Sequence, residues 1–141
     1  MMPCIWPTRC LLGVAALGGL FAVSGPLRAA DRAVPGQWEY TTTTDGTSRT
    51  FTSCMSAEDA SLVNGDSKTG RAAAERKGQG RCSVKTFTAN GDSVDYTLIC
   101  GTRTIKSATV YHRDTSEGTL ITTTDGKDVT SRVKARRLGD C

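Results

Sequence analysis

Apolar and polar residues alternate along most of residues 35–136, and short turn sequences interrupt the alternation. A period of two is typical of strands with one buried face, whereas helices repeat every 3.6 residues. Dipeptides that favour tight hairpin turns, Asp-Gly or Asn-Gly, occur at residues 45–46, 90–91 and 125–126. The predicted strands cover residues 35–44, 47–54, the two arms of 82–100, 105–112, 119–124 and 128–136. The pattern therefore predicts an all-β domain, a small antiparallel barrel or a strongly curved sheet of about seven strands.

The two clearest hairpins also predict which side chains share a face. In the first, Trp38, Tyr40 and Phe51 have matching parities and lie on one side of the sheet. In the second, we expect a turn at Asn90-Gly91-Asp92, with paired residues whose numbers sum to 182. The pairs are then Thr88 with Val94, Thr86 with Tyr96, Val84 with Leu98 and Cys82 with Cys100, all on one buried face.

One short helix is predicted between the hairpins. Ser56 followed by Asp59 three residues later has the pattern of a capping box, so a helix is expected from there to about Val63. Residues 64–80 are polar and rich in glycine, with one helix-permitting stretch at 71–77. This segment is interpreted as a mobile crossover.

The N-terminal 29 residues have the pattern of a secretory signal peptide. Arg9 precedes an apolar run at residues 11–23, a Ser-Gly-Pro breaker follows, and Ala29 provides a small residue for cleavage. The run is too short to remain as a transmembrane helix. We therefore expect residues 1–29 to be removed and residues 30–141 to form a single β-rich exported domain, most simply periplasmic, with no transmembrane segment after cleavage.

The charge of the expected domain argues against nucleic-acid binding. The whole chain has 18 Lys and Arg against 14 Asp and Glu, a net charge of +4. Removal of Arg9 and Arg28 with the signal peptide lowers this charge to +2. Nucleic-acid-binding domains are usually far more basic, with the charge clustered.

Cysteine spacing predicts two disulfide bonds and no metal site. Four cysteines remain after cleavage, and an even number in a small exported domain is typical of disulfides. Zinc sites require closely spaced ligand pairs, which this chain lacks. The four residues are Cys54, Cys82, Cys100 and Cys141.

Three pairings of these cysteines are possible. If the crossover carries the chain along the sheet, Cys82 and Cys100 lie at one end, and Cys54 and Cys141 at the other. If the crossover returns at the same end, Cys54 lies near Cys82 and Cys100, and Cys141 has no neighbour. Only the first arrangement pairs every cysteine, so we expect Cys82–Cys100 and Cys54–Cys141.

Three segments resemble the domain of unknown function 3617 family of exported bacterial proteins. Pro35-Gly36-Gln37-Trp38-Glu39 is similar to its opening Pro-Gly-x-Trp-Glu. Residues 54–60, Cys-Met-Ser-Ala-Glu-Asp-Ala, resemble its Cys-Leu-Thr-Pro-Glu-Asp-Ala, with Ala57 where many members have proline. The closing Arg-Leu-Gly-x-Cys corresponds to residues 137–141, and Cys82 and Cys100 lie where the middle cysteines of the family fall. The resemblance implies an exported, disulfide-bonded domain and carries over no catalytic residue.

No catalytic motif accompanies this fold, so we predict no enzymatic activity, no catalytic residue and no cofactor. Nucleophile elbows, phosphate-binding loops, dinucleotide-binding turns and metalloprotease motifs do not occur in the sequence. The single histidine, His112, is expected at a strand end as a polar surface residue. A catalytic role for His112 would require a cleft and an acidic partner.

The last strand carries a basic face. Arg132, Lys134 and Arg136 alternate with small or apolar residues. The favoured interpretation is a solvated strand face, and protection of a sheet edge against aggregation is one use that such a face can have. The functional alternative is a contact strip for anionic envelope material.

The preferred function is a non-enzymatic module that binds an apolar small molecule or an envelope component, with Trp38, Tyr40 and Phe51 as the ligand face. Trp38 also fits the role of a core anchor. Small barrels can be filled by their own side chains, so a pocket is not guaranteed. The alternative is a structural module that docks on an envelope protein or an anionic surface through Arg132, Lys134 and Arg136.

Overall fold

The structure, a computed structural model, describes residues 31–141. The predicted signal peptide and its cleavage after Ala29 lie outside the described residues. Seven antiparallel strands form one sheet, and two helices connect the second strand to the third. The elements are β1 Gly36–Thr44, β2 Thr47–Met55, α1 Ala57–Asn64, α2 Ser67–Gly78, β3 Ser83–Asn90, β4 Ser93–Cys100, β5 Arg103–Tyr111, β6 Thr115–Thr124 and β7 Lys127–Gly139. The predicted all-β class is thereby confirmed.

The strand order in the sheet is β2-β1-β7-β6-β5-β4-β3. Strands β3 to β7 follow one another as a meander, and β7 then pairs with β1. Strands β2 and β3 therefore remain at the two edges, and the sheet is not closed into a barrel. Strand β6 begins earlier than the sequence predicts, and β7 runs three residues further.

The first hairpin has the predicted turn at Asp45 and Gly46. Asp45 and Gly46 both have positive φ, as the tight two-residue hairpin turn requires. Tyr40 lies opposite Phe51, and Trp38 lies opposite Ser53. The prediction that Trp38, Tyr40 and Phe51 share a face is therefore confirmed.

The second hairpin corrects the predicted register near its turn. Asn90 pairs with Ser93, so the loop contains two residues and the paired numbers sum to 183. Phe87 therefore lies opposite Tyr96, in place of the predicted Thr86.

A β-bulge at Lys85 restores the predicted pairing further along, where Val84 lies opposite Leu98. A bulge adds one residue to one strand and so reverses the parity of the side chains beyond it. Val84 and Phe87, an odd number of positions apart, consequently both point into the core. Thr86 and Thr88 lie on the opposite face of the sheet. The prediction that they share the buried face with Val84 was therefore wrong.

The crossover contains two helices, where one was predicted. Helix α1 has the expected capping box between Ser56 and Asp59. Helix α2 occupies most of the segment interpreted as mobile, and the Asp66 side chain caps it by accepting the Thr69 amide at 2.7 Å. Gly70 does not break the helix. Its position is buried, and a Cβ there would overlap the Phe87 ring.

The core lies between the helices and one face of the sheet. Trp38 is fully buried, and its indole N–H donates to the Val34 carbonyl at 2.9 Å. The residues buried together in this core are Ala33, Trp38, Val63, Val84, Phe87, Val94 and Ala135. Trp38 is therefore a core anchor, which is one of the two roles that the sequence predicts for it.

The segment before β1 is held by polar contacts to the end of α1. The Arg32 guanidinium donates to the carbonyls of Val63 and Gly65 at 2.7 and 2.8 Å. The Asn64 side chain accepts the Ala33 amide and donates to the Ala33 carbonyl. These contacts fix the fully buried Ala33 beside the helix.

The cysteines pair as the sequence predicts. Cys54 is bonded to Cys141 with Cα atoms 5.8 Å apart, and Cys82 to Cys100 with Cα atoms 4.2 Å apart. The first bond joins the end of β2 to the tail that follows β7, and the second closes the β3–β4 hairpin.

We expect Gly70→Ala to destabilise the domain by about 1–3 kcal/mol, because a methyl group would overlap the Phe87 ring and the Leu62 carbonyl. Gly78→Ala is the matched control in the same helix, because a Cβ there meets only Cys82 at an ordinary 3.7 Å. It should be neutral or stabilising by up to about 1 kcal/mol. Urea unfolding measures both, and equal effects would contradict the tight α2–β3 contact.

We expect non-reducing peptide mapping to recover Cys54 linked to Cys141 and Cys82 linked to Cys100. In the loop-entropy model, the first bond contributes about 4–5 kcal/mol and the second about 3 kcal/mol. Replacing Cys54 and Cys141 together by alanine should therefore lower the free energy of unfolding more than replacing Cys82 and Cys100. A Cys54–Cys82 peptide would refute the pairing.

Candidate functional site

A cavity of about 510 Å³ lies between the two helices and the inner face of the sheet, open to solvent on one side. Its wall combines aromatic and aliphatic side chains with a few polar groups. The lining residues are Tyr40, Ser53, Cys54, Met55, Asp59, Leu62, Ala74, Lys77, Gly78, Cys82, Tyr96, Leu98 and Tyr111.

Strong curvature of the sheet creates this cavity. Met55 at the end of β2 and Leu98 of β4 both line it, although five strand steps separate β2 from β4. In a flat sheet those strands would be about 24 Å apart at about 4.8 Å per step. A sphere of the cavity's volume is only roughly 10 Å across. The sheet must therefore curl around the helices, as the curved-sheet prediction expects.

All three tyrosines of the chain line the cavity. Tyr40 comes from β1, Tyr96 from β4 and Tyr111 from β5. Burial raises the pKa of Tyr111 strongly, with smaller contributions from Tyr96 and Tyr40. Burial also raises the pKa of Tyr40, and the Asp59 carboxylate raises it further. Both phenols are consequently neutral hydrogen-bonding groups over the physiological pH range.

A charged pair at the cavity wall joins the two helices. The Lys77 ammonium of α2 donates to the Asp59 carboxylate of α1. Asp59 also accepts the Ser56 amide at 3.2 Å and the Ser56 hydroxyl at 3.0 Å. These bonds, with that from Lys77 the largest, lower the pKa of Asp59. The cavity therefore has one polar side beside a largely apolar wall.

The predicted ligand face is divided between three environments. Trp38 is enclosed in the core and does not line the cavity. Tyr40 lines it. Phe51 is 54% exposed and stacks on Tyr40 from outside, with ring centroids 5.3 Å apart.

Sequence reasoning did not select Tyr96 and Tyr111 as site residues. Tyr96 was placed on the buried face of its hairpin, which is correct, but it was not linked to Tyr40. The sequence contains one indication of their role, because all three tyrosines occur within predicted strands.

The basic strip lies on the outer face, opposite the cavity. Arg136 donates to Glu39 at 2.7 Å, and the Lys134 ammonium lies 4.0 Å from the Glu117 carboxylate. Strand β7 is flanked by β1 and β6, so it is an interior strand. Arg132, Lys134 and Arg136 are exposed, in agreement with a solvated strand face, but they do not guard a sheet edge.

His112 is exposed in the connection between β5 and β6 and does not line the cavity. Its backbone N–H donates to the Thr115 carbonyl at 2.8 Å. Within residues 31–141, no group of His, Cys, Asp and Glu side chains is arranged to hold a metal ion. Neither helix of this region is long and apolar enough to cross a membrane.

The segments that carry the family resemblance meet at one end of the sheet. Gly36 has a φ of 143° and so close an approach to Gly139 that a Cβ would overlap its carbonyl. Arg137 donates to the Pro35 carbonyl at 2.9 Å. Cys54 and Cys141 are bonded at the same end. Glycine at position 36 is thus required by its backbone conformation and by its neighbour.

A family model described as a protein of unknown function (DUF3617) matches residues 33–141. The chain belongs to this family. No curated protein and no solved structure matches the chain significantly. The DUF3617 match starts at the buried Ala33 and ends at the bonded Cys141, so it covers all seven strands, both helices and the cavity wall.

The pKa of Tyr111 predicts a loss of stability in alkali. Above about pH 10 the unfolded chain loses phenol protons while folded Tyr111 keeps its own. The free energy of unfolding should therefore fall by about 1.4 kcal/mol in total between about pH 9 and about pH 11 from this residue alone, because the unfolded phenol ionises only near about pH 10. Urea unfolding at about pH 9 and about pH 11 measures this fall. Tyr111→Phe should reduce the fall between the two pH values by about 1.4 kcal/mol, and an unchanged fall would contradict the buried phenol.

Proposed function

We propose that this DUF3617 chain is an exported, non-enzymatic binding protein that takes up an apolar small molecule in the cavity under its helices. The main observation that supports this proposal is the cavity. Its volume of about 510 Å³ is within the range of small-molecule sites, which are mostly apolar with a few placed polar groups.

The chemistry of the wall suits a ligand that is apolar with one polar end. Met55, Leu62 and Leu98 supply aliphatic surface that gains stability when water is displaced from it. The phenols of Tyr40 and Tyr111 offer neutral hydrogen-bond donors. No charge on the ligand is needed, because the Lys77 ammonium is already paired with Asp59.

Export is part of the same proposal. Two disulfides in a domain of this size are expected in an oxidising compartment such as the periplasm. The predicted signal peptide supports that location. An apolar molecule of the cell envelope is then the natural ligand class.

Filling the cavity tests the proposal. Ala74 lines the cavity, whereas Ala72 of the same helix does not. Ala74→Phe should weaken binding of the uncharged fluorophore N-phenyl-1-naphthylamine by at least about tenfold, because the new ring occupies the binding volume. Ala72→Phe introduces the same residue with the same helix propensity and should leave the affinity unchanged.

Two outcomes would count against a binding function. One is equal loss of fluorophore affinity in both variants, with thermal unfolding showing that both are folded. The other is a bare protein mass when the natural protein is purified from periplasm and examined by native mass spectrometry. A co-purified apolar molecule that Ala74→Phe displaces would support the proposal and identify the ligand.

A further inference from the structure

The two edge strands of the sheet differ in how far the rest of the chain covers their backbone groups. At the β3 edge, α2 covers the backbone groups that no strand satisfies. Ser67 accepts the Ala89 amide at 2.8 Å, and Arg71 donates to the Val84 carbonyl at 2.7 Å. The bulge at Lys85 further disrupts the edge. Such features are the usual protection of an edge strand against pairing with another chain.

The β2 edge has none of these protections. All residues from Thr47 to Cys54 are exposed, and the pairing with β1 continues without a bulge over the full strand. The strand contains no proline and no lysine, and Arg49 is its only charged residue. Among residues 31–141, no hydrogen bond outside the β1–β2 ladder reaches a backbone group of residues 48–53.

The geometry of the hairpin identifies the unpaired backbone groups. In a two-residue hairpin the residues that flank the turn, here Thr44 and Thr47, form a hydrogen-bonded pair. Hydrogen-bonded and non-hydrogen-bonded pairs then alternate along the ladder. Ser48, Thr50 and Thr52 therefore direct their N–H and C=O groups away from β1, towards solvent.

We propose that β2 pairs antiparallel with β2 of a second copy of this chain, about a two-fold axis at Phe51. Phe51 is the centre of the nine-residue strand, so this register pairs its whole length. It sets Thr50 opposite Thr52 of the second copy, and the outward groups of both residues meet as a hydrogen-bonded pair. The two sheets become one continuous sheet of twice the width.

The side chains favour a second copy of the same strand as the occupant. At the axis, Phe51 meets Phe51 of the other copy in a non-hydrogen-bonded pair, where side chains approach most closely. The contact covers a ring that is 54% exposed in one copy. Arg49 faces Ser53, so no like charges oppose each other. Because α2 covers β3, pairing stops at two copies.

Proline at position 50 tests the hydrogen bonds. The Thr50 N–H points away from β1, so Thr50→Pro removes an intermolecular donor and leaves the hairpin ladder intact. We expect the dimer dissociation constant, measured by analytical ultracentrifugation, to rise at least about tenfold. Thr50→Val is the matched control, because it also loses the Thr50–Thr41 side-chain contact but keeps the N–H. It should dimerise as the natural chain does.

Cysteine cross-linking tests the register independently. Phe51→Cys places two thiols opposite each other at the axis and should form an intermolecular disulfide on mild oxidation of the folded protein. Arg49 is also exposed on the same strand but lies two residue pairs off the axis, so Arg49→Cys should not cross-link.

The results separate pairing of two copies from other uses of the edge. A monomer at all accessible concentrations, or a dimer that Thr50→Pro leaves unchanged, would overturn the proposal. Equal cross-linking of both cysteine variants would refute the register. The fluorophore affinity of Thr50→Pro reports on the cavity separately, so failure of the dimer and failure of ligand binding remain distinguishable.

Discussion

The connection between β2 and β3 determines the architecture of this domain. These consecutive strands lie at opposite edges of the sheet, so the chain between them must cross one face. Helices satisfy their own backbone groups during that crossing, which an irregular segment under the sheet would not. The sheet curls around the helices because Trp38, Val63 and Phe87 must be buried together. The cavity is the part of this enclosed space that side chains do not fill.

Much of the fold could be predicted because its signals are local. Alternation and Asp-Gly turns indicate strands and hairpins wherever they occur, and the capping box at Ser56 marks the start of α1. The bulge at Lys85 has no such signal, since neither glycine nor proline marks it. It exists because Val84 and Phe87 both need burial. The glycine content of residues 64–80 was misleading for a similar reason, because Gly70 is needed for its close approach to the distant Phe87 ring.

The candidate site was only partly predictable, because its members meet through pairing between strands far apart in the chain. Parity placed Tyr40 with Trp38 and Phe51, and that grouping is correct. Their roles differ because Trp38 is enclosed in the core, whereas Phe51 lies opposite Tyr40 on the edge strand β2 and remains exposed. The approach of Tyr111 to Tyr40 depends on β7 lying between β1 and β6, and no residue near either tyrosine encodes that order.

The central place of β7 has a consequence for the order in which the domain can fold. A chain synthesised from its N-terminus presents the β1–β2 hairpin long before β7, its partner in the sheet. Until then Cys54 has no native partner, whereas Cys82 is already near. Mispairing is avoided when Cys82 closes with the nearby Cys100 first, because short loops close faster than long ones. The β1–β7 ladder and the Cys54–Cys141 bond can therefore form only after the last strand is available.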